Sequence, residues 1–254
     1  MKLLDQYLKE IERELSKKAE TPRSEERGEL VELRDGVAIL TGLQKAFYGE
    51  LIEFENGVQA FIIDLTEESI GAVILGDYQS LNIGDKVKST GRILSVGVGD
   101  ALLGRTIDPL AEPLDGLKKP RLSKQYPIEK IAPGVVYRRP VNVPIQTGLK
   151  LIDALIPIGR GQRELIIGDR STGKTTLAID TIINQKNENV ICIYCSIGQK
   201  NSKTVDVIET LKKHNAMDYT IVVSSTASTP AAMQYIAPYS ATAIAEYFMD
   251  QGKD

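Results

Sequence analysis

The chain has 254 residues, of which 42% are hydrophobic and 26% charged. This is the composition of an ordinary globular protein with room for two domains. The net charge of −3 argues against nonspecific nucleic-acid binding. No apolar run approaches the ~20 residues of a membrane span, and the first residues carry acids and bases throughout, unlike a signal peptide. We therefore expect a cytoplasmic protein that reaches a membrane only through partners.

The first predicted element is an amphipathic helix over residues 2–20, within a segment that we assign to residues 1–23. Its apolar side chains recur every three or four residues and form one stripe; they are Leu4, Leu8, Ile11 and Leu15. Thr21-Pro22 ends the helix. Such a stripe suits packing on the chain's own next domain and docking to a partner about equally well, and the sequence leaves both open.

Residues 24–98 predict a small β-barrel. Short apolar runs alternate with turns, and Asp35-Gly36 and Asn56-Gly57 are strong hairpin signals. About six short strands in this span favour a closed barrel, because closure leaves no exposed strand edge. The segment lacks the interleaved aromatic and basic residues that stack and hold single-stranded nucleic acid, which favours a structural or assembly role.

Residues 99–254 predict a proline-rich linker, to about residue 150, and then a parallel α/β domain. Strands are expected at residues 164–167, 190–195 and 219–223, and helices at residues 148–155, 176–183, 202–213 and 230–250, the last interrupted near Pro238. Strands alternating with helices indicate a parallel sheet with ligands at its C-terminal strand ends. The only two cysteines, Cys192 and Cys195, fall inside a predicted strand and read as structural rather than redox residues.

A phosphate-binding motif lies between the first predicted strand of this domain and the helix that follows. It fits G-x-x-x-x-G-K-[ST], and we take its binding residues to be Gly168, Asp169, Arg170, Ser171, Thr172, Gly173, Lys174, Thr175 and Thr176. Backbone N–H groups at a helix N-terminus attract a polyphosphate. Lys174 is expected to reach the terminal phosphates, and the Thr175 hydroxyl to ligate Mg²⁺. The sequence thus predicts binding of ATP or ADP with Mg²⁺.

Several segments together resemble the alpha-subunit family of F-type ATP synthases. They include 157–165, the P-loop itself, 90–96, 132–134, 197–200 and 226–232, in the same order along the chain. The resemblance implies a fold with an N-terminal β-barrel and a RecA-like P-loop NTPase domain with a parallel sheet, incomplete at its C-terminal end. It also implies a nucleotide-binding subunit of a proton-translocating complex at the cytoplasmic face of the cell membrane. The implied partners are beta, gamma and delta subunits in a hetero-hexameric ring, with delta on the N-terminal helix.

Three departures qualify this resemblance. Ser171 stands where the family usually has Gln, so a phosphate-side contact is expected to be lost or bridged by water. Gln199 stands where the catalytic beta paralogue has Glu, and the resemblance implies that this Gln is typical of alpha subunits and marks their non-catalytic, regulatory nucleotide site. An amide cannot take a proton from water, and we therefore expect no catalytic residue in this chain. No apolar strand of the α/β domain ends in the Asp that holds Mg²⁺ in P-loop NTPases. Ile62-Ile63-Asp64 has that pattern, but it lies in the barrel. We therefore expect an alpha chain truncated before that strand.

Two other classes of function remain as alternatives. The first is an independent catalytic ATPase of the beta or secretion type, against which Gln199 and the missing Asp count. The second is an RNA-translocating hexamer that also joins a barrel to a RecA-like domain, against which the weakly acidic charge and the missing stacking surface count.

Overall fold

The computed structural model describes residues 26–254, and the N-terminal helix expected over residues 2–20 lies outside them. The chain divides into two compact units, the first ending at Arg92 and the second running from Ile93 to Asp254. This division falls slightly before the domain boundary predicted at residue 98.

The first unit is a closed antiparallel barrel of six strands in the order β1-β2-β5-β4-β3-β6, as the sequence predicts. The strands are β1 (Arg27–Arg34), β2 (Val37–Thr41), β3 (Glu50–Phe54), β4 (Gln59–Leu65), β5 (Ile70–Ile74) and β6 (Lys86–Ile93). Alternate residues of these strands point inward, because successive side chains of a strand point to opposite faces. Leu30, Leu40, Ile52 and Ile62 are completely buried in the resulting core.

Both predicted hairpin turns are present in the barrel. Asp35 and Gly36 connect β1 to β2 with φ of 46° and 83°, the positive values that a two-residue primed turn requires. Gly57, at φ 83°, lies in the loop between β3 and β4, where the Asn56 side chain accepts the Val58 N–H at 3.1 Å. Local turn chemistry therefore sets the strand register of this unit.

The second unit is built on a parallel sheet. Its strands are β7 (Ser95–Val98), β8 (Thr106–Ile107), β9 (Lys124–Pro127), β10 (Cys192–Gln199) and β11 (Thr220–Thr226). Parallel pairing gives the order β10-β11-β8, while β7 and β9 form a separate antiparallel pair. The helices are α1 (Lys150–Leu155), α2 (Lys174–Asn184), α3 (Asn201–Lys213) and α4 (Ala231–Met249).

Helices pack on this sheet through apolar side chains. Val207 and Leu211 of α3 join Val222 of β11 in one buried cluster, against which Ile179 and Ile182 of α2 pack. Helix α4 contacts β10 and β11 as well as the β7–β9 pair. Among residues 26–254, no helix combines the length and apolar character needed to cross a bilayer.

The two cysteines lie in β10, as predicted. Cys192 is buried and Cys195 partly buried, and both are free thiols. Burial raises the pKa of Cys192 to about 12 and that of Cys195 to about 11. Since the reactive form is the thiolate, these raised pKa values disfavour redox chemistry at either thiol.

Two predictions about secondary structure are wrong. Residues 164–167 form no strand, and no backbone hydrogen bond of theirs is made within the described part of the chain. Leu165, Ile166 and Ile167 are accordingly 77%, 46% and 78% exposed instead of buried. Helix α4 is not interrupted, because Pro238 removes only one helical hydrogen bond and the buried Ile236, Ala237 and Ile244 hold the helix on both sides of it.

Candidate functional site: a phosphate-binding loop before helix α2

The candidate site is the loop of residues 168–173 together with the first turn of α2. Helix α2 begins at Lys174, and Gly173 precedes it with φ 89°. Ser171 also has a positive φ, of 61°. Left-handed residues separated by one ordinary residue curve a chain so that successive N–H groups point to one side, a concave anion-binding arrangement. The loop therefore has the backbone shape that a phosphate requires.

The shape of this loop depends on the backbone of Ser171 and on the missing side chain of Gly168. A left-handed conformation is unfavourable for a residue with a Cβ, and Ser171 adopts it nonetheless. A Cβ at Gly168 would lie 2.9 Å from the Thr172 hydroxyl oxygen, so a side chain there would force that hydroxyl to move. Glycine at position 168 therefore lets the Thr172 side chain fold over the loop, where its hydroxyl donates to the Asp169 carbonyl at 2.9 Å.

Lys174 turns back over the loop. Its Nζ donates to the Gly168 carbonyl at 2.6 Å and also to the Asp169 carbonyl. The ammonium group thus lies over the mouth of the loop, where a phosphate placed on the loop would meet it. No side chain caps the first turn of α2, so its N–H groups are available to an anion.

The remaining predicted binding residues lie on the solvent side of this arrangement. Asp169, Arg170, Thr175 and Thr176 are exposed. The Thr175 hydroxyl can offer one oxygen to a cation, but the described residues contain no cluster of three or more carboxylate, His or Cys side chains that could hold a metal. The described residues therefore present a loop of the kind that can accept a polyphosphate, with the Thr175 hydroxyl as a candidate cation ligand beside it.

Gln199 is the last residue of β10. It follows Gly198, whose φ is 62°, and its carbonyl accepts the Ala227 N–H at 3.1 Å. Its side chain bonds the Tyr194 hydroxyl, which partly offsets the rise in the pKa of Tyr194 that burial causes. No hydrogen bond within the described residues joins Gln199 to residues 168–176. Asp64, the end of the run that resembles a Mg²⁺ strand, is in β4 of the barrel, as expected.

One feature of the site was missed in the sequence. Tyr219 lies just before β11, and its hydroxyl contacts the carbonyls of Ile182 and Ile183 at 3.1 Å each. Its single proton is shared between two carbonyls of the last helical turn, which also accept the Gln185 N–H. A tyrosine at the start of a strand gives no signal in the sequence that it caps a helix more than thirty residues away.

A barrel followed by a parallel α/β unit with a P-loop defines a class of nucleotide-binding protein, and comparisons place this chain within it. Residues 23–91 match the beta-barrel domain of the ATP synthase alpha/beta family, and residues 148–254 match the nucleotide-binding domain of the same family. The chain therefore belongs to the ATP synthase alpha/beta family.

Two curated relatives are similar in sequence to this chain over most of its length. It is 56% identical over 244 residues to a protein of Limosilactobacillus reuteri (strain DSM 20016) named ATP synthase subunit alpha, covering 96% of this chain and 48% of the relative. It is 54% identical over 231 residues to a protein of the same name from Caldanaerobacter subterraneus subsp. tengcongensis, covering 91% of this chain and 46% of the relative. The chain thus spans about half the length of the relatives it matches.

Proposed function

We propose that this chain is a non-catalytic, nucleotide-binding alpha subunit of an F-type ATP synthase. The observation that carries the proposal is the P-loop, with left-handed Ser171 and Gly173 and with Lys174 over its mouth. Loop and first-turn N–H groups hold the phosphates of ATP or ADP, and Lys174 exchanges its carbonyl partners for phosphate oxygens. The Thr175 hydroxyl would hold the Mg²⁺ that accompanies the nucleotide, an ion that would screen the charge of the phosphates.

The non-catalytic assignment rests on Gln199. General-base assistance is typically worth about 10²–10⁴ in rate, and an amide has no basic site with which to provide it. Steady-state phosphate release from Mg-ATP by the wild type should therefore equal that of Lys174→Ala. Hydrolysis by the wild type clearly above this control would contradict the assignment and favour the independent ATPase.

We also propose the complex in which this chain takes part. The alpha-subunit name of the relatives supports membership of a proton-translocating ATP synthase, in which ATP synthesis is the activity of the whole complex. We propose beta, gamma and delta subunits as partners, in a hetero-hexameric ring on the cytoplasmic face of the cell membrane, with the membrane reached only through the complex. Relatives with this name do not favour the catalytic ATPase or the RNA-translocating hexamer. Co-purification with co-expressed beta and gamma subunits tests the assembly.

A further inference from the structure

Helix α2 packs on the sheet through Ile179 and Ile182, and its hydrogen bonds to more distant segments lie at the end far from the phosphate-binding loop. None of its residues is fully buried. Apart from the bonds of Lys174 to the P-loop, the side-chain hydrogen bonds that join α2 to other described segments all involve its last turn and the residue after it. One set comes from Tyr219, and the other involves the carbonyl of Gln146.

The Gln146 carbonyl accepts two hydrogen bonds from the end of α2. Asn184 Nδ2 donates to it at 2.8 Å, and Gln185 Nε2 also donates at 2.8 Å. Gln185 Nε2 donates its second proton to the Thr181 carbonyl at 2.9 Å. Gln185 is only 2% exposed, while Asn184 lies at the surface. Two neighbouring amides thus hold one backbone carbonyl.

The turn that carries this carbonyl is itself rigid. The Asp153 carboxylate accepts the N–H of Thr147 at 3.0 Å, its hydroxyl at 2.5 Å and the N–H of Gly148 at 2.9 Å. Thr147 is 1% exposed, and these hydrogen bonds lower the pKa of Asp153, so the carboxylate stays ionised at neutral pH. Three donors on one carboxylate leave the turn little freedom.

Gly148 brings the turn into direct contact with α2. Its φ is 77°, and a Cβ there would lie 2.7 Å from the side-chain amide of Asn184. The backbone of the turn therefore packs on the helix end as closely as atoms allow. The hydrogen bonds to the Gln146 carbonyl set the orientation of the helix end, and the contact between Gly148 and Asn184 sets its distance from the turn.

We infer that Asn184 is a positioning residue for nucleotide binding, acting through α2 on Lys174 and Thr175. The helix has 11 residues and so is about 16 Å long. Because the hydrogen bonds that orient α2 lie at one end, a small tilt there becomes a larger displacement at the other, and displacements of about 1 Å are enough to weaken a phosphate site. This inference rests on the proposed nucleotide binding.

Asn184→Asp is the sharpest test, because it replaces the donating amide nitrogen by an oxygen of the same shape. The matched control is Asp180→Asn, an exposed change of similar size one turn nearer the loop. With fluorescent Mg-ATP, at a temperature where circular dichroism shows each variant folded, we expect about five- to tenfold weaker binding by Asn184→Asp. The control should stay within about twofold. Asn184→Ala, which adds no charge, replaces the first variant if that one does not fold.

A second measurement needs no nucleotide and separates this inference from the function on which it rests. The backbone amide resonances of Lys174 and Thr175 should shift in Asn184→Asp and not in Asp180→Asn, although Asp180 is nearer to them. A purely local structural role would leave these distant resonances in place. Unchanged resonances, or unchanged Mg-ATP affinity where the wild type binds, would overturn the inference. Absence of Lys174-dependent binding in the wild type would count against the proposed function alone.

Discussion

Arg105 and Asp115 form a two-point ion pair in the second unit. Arg105 Nε donates to one carboxylate oxygen at 2.5 Å, and a terminal guanidinium nitrogen donates to the other at 2.9 Å. The carboxylate also accepts the N–H groups of Thr106 and Leu117, at 3.3 and 3.0 Å. Both charged side chains are largely buried, with 13% and 15% of their surface exposed. The pair therefore fastens the 108–118 segment to β8.

This ion pair predicts acid-sensitive stability. The hydrogen bond from Arg105 lowers the pKa of Asp115 from 3.8 to about 2. A carboxyl whose pKa is lower in the folded state stabilises that state above its unfolded pKa, and the contribution is lost as the pH falls through the folded value. We expect a loss of about 2 kcal/mol in the free energy of unfolding between pH 5 and pH 2 from this group.

Urea unfolding at several pH values measures this contribution. Asp115→Asn should be less stable than the wild type at pH 7, and the difference should shrink toward pH 2. Asp108 works in the opposite direction, because burial raises its pKa, and it is unchanged in both proteins. If the free energies of unfolding of the wild type and Asp115→Asn differ by the same amount at pH 2 and at pH 7, the prediction is contradicted.

Glu50 fastens the barrel at a buried position. It is 1% exposed and accepts the Gly91 N–H at 2.8 Å, the Phe47 N–H at 3.2 Å and the Ser89 hydroxyl. Glu50→Gln replaces one accepting oxygen by a donor, so we expect a loss of about 1–3 kcal/mol in urea unfolding. Glu53→Gln, which affects only a partly exposed pair with Lys88, should cost no more than about 1 kcal/mol. Equal losses in the two variants would show that Glu50 has no such role.

Because the side chains of Leu165 and Ile167 are exposed, we expect them to bind a hydrophobic dye and to contribute little to the free energy of unfolding. Removing a buried Leu typically costs about 2–5 kcal/mol, but these two are 77% and 78% exposed. Leu165→Ser/Ile167→Ser should therefore leave the free energy of unfolding within about 0.5 kcal/mol of the wild type. It should also reduce the fluorescence of a hydrophobic dye bound to the native chain, since contiguous exposed apolar residues bind such dyes.

The control for this pair is Ile83→Ser in the barrel, an exposed single side chain with 73% of its surface accessible. It should change neither stability nor dye fluorescence. A large destabilisation in the Leu165/Ile167 variant would mean that these residues are buried in solution.

The parts of the fold that local chemistry decides were predicted from the sequence. Asp35-Gly36 marks a two-residue turn because both positions take positive φ there. The helix after the P-loop was expected from Thr176 and begins two residues earlier, at Lys174, because loop and helix are adjacent in sequence. The barrel and the P-loop followed from such signals.

The parts that depend on distant partners could not be predicted. An apolar run such as 164–167 becomes a strand only if another strand supplies hydrogen bonds, and none is supplied within residues 26–254. The contacts of Tyr219 with Ile182 and of Asn184 with Gln146 join residues more than thirty positions apart. The residues around Tyr219 and Asn184 do not indicate in the sequence which distant residue each side chain contacts.

The most direct test of nucleotide binding through the P-loop is an equilibrium titration with fluorescent Mg-ATP. Hydrogen bonds to a charged group contribute about 1.5–3 kcal/mol, so Lys174→Ala should weaken binding by about 10- to 100-fold. Lys186→Ala, which removes an exposed lysine just beyond the other end of α2, should bind like the wild type. Equal affinities in the wild type and Lys174→Ala would contradict the account.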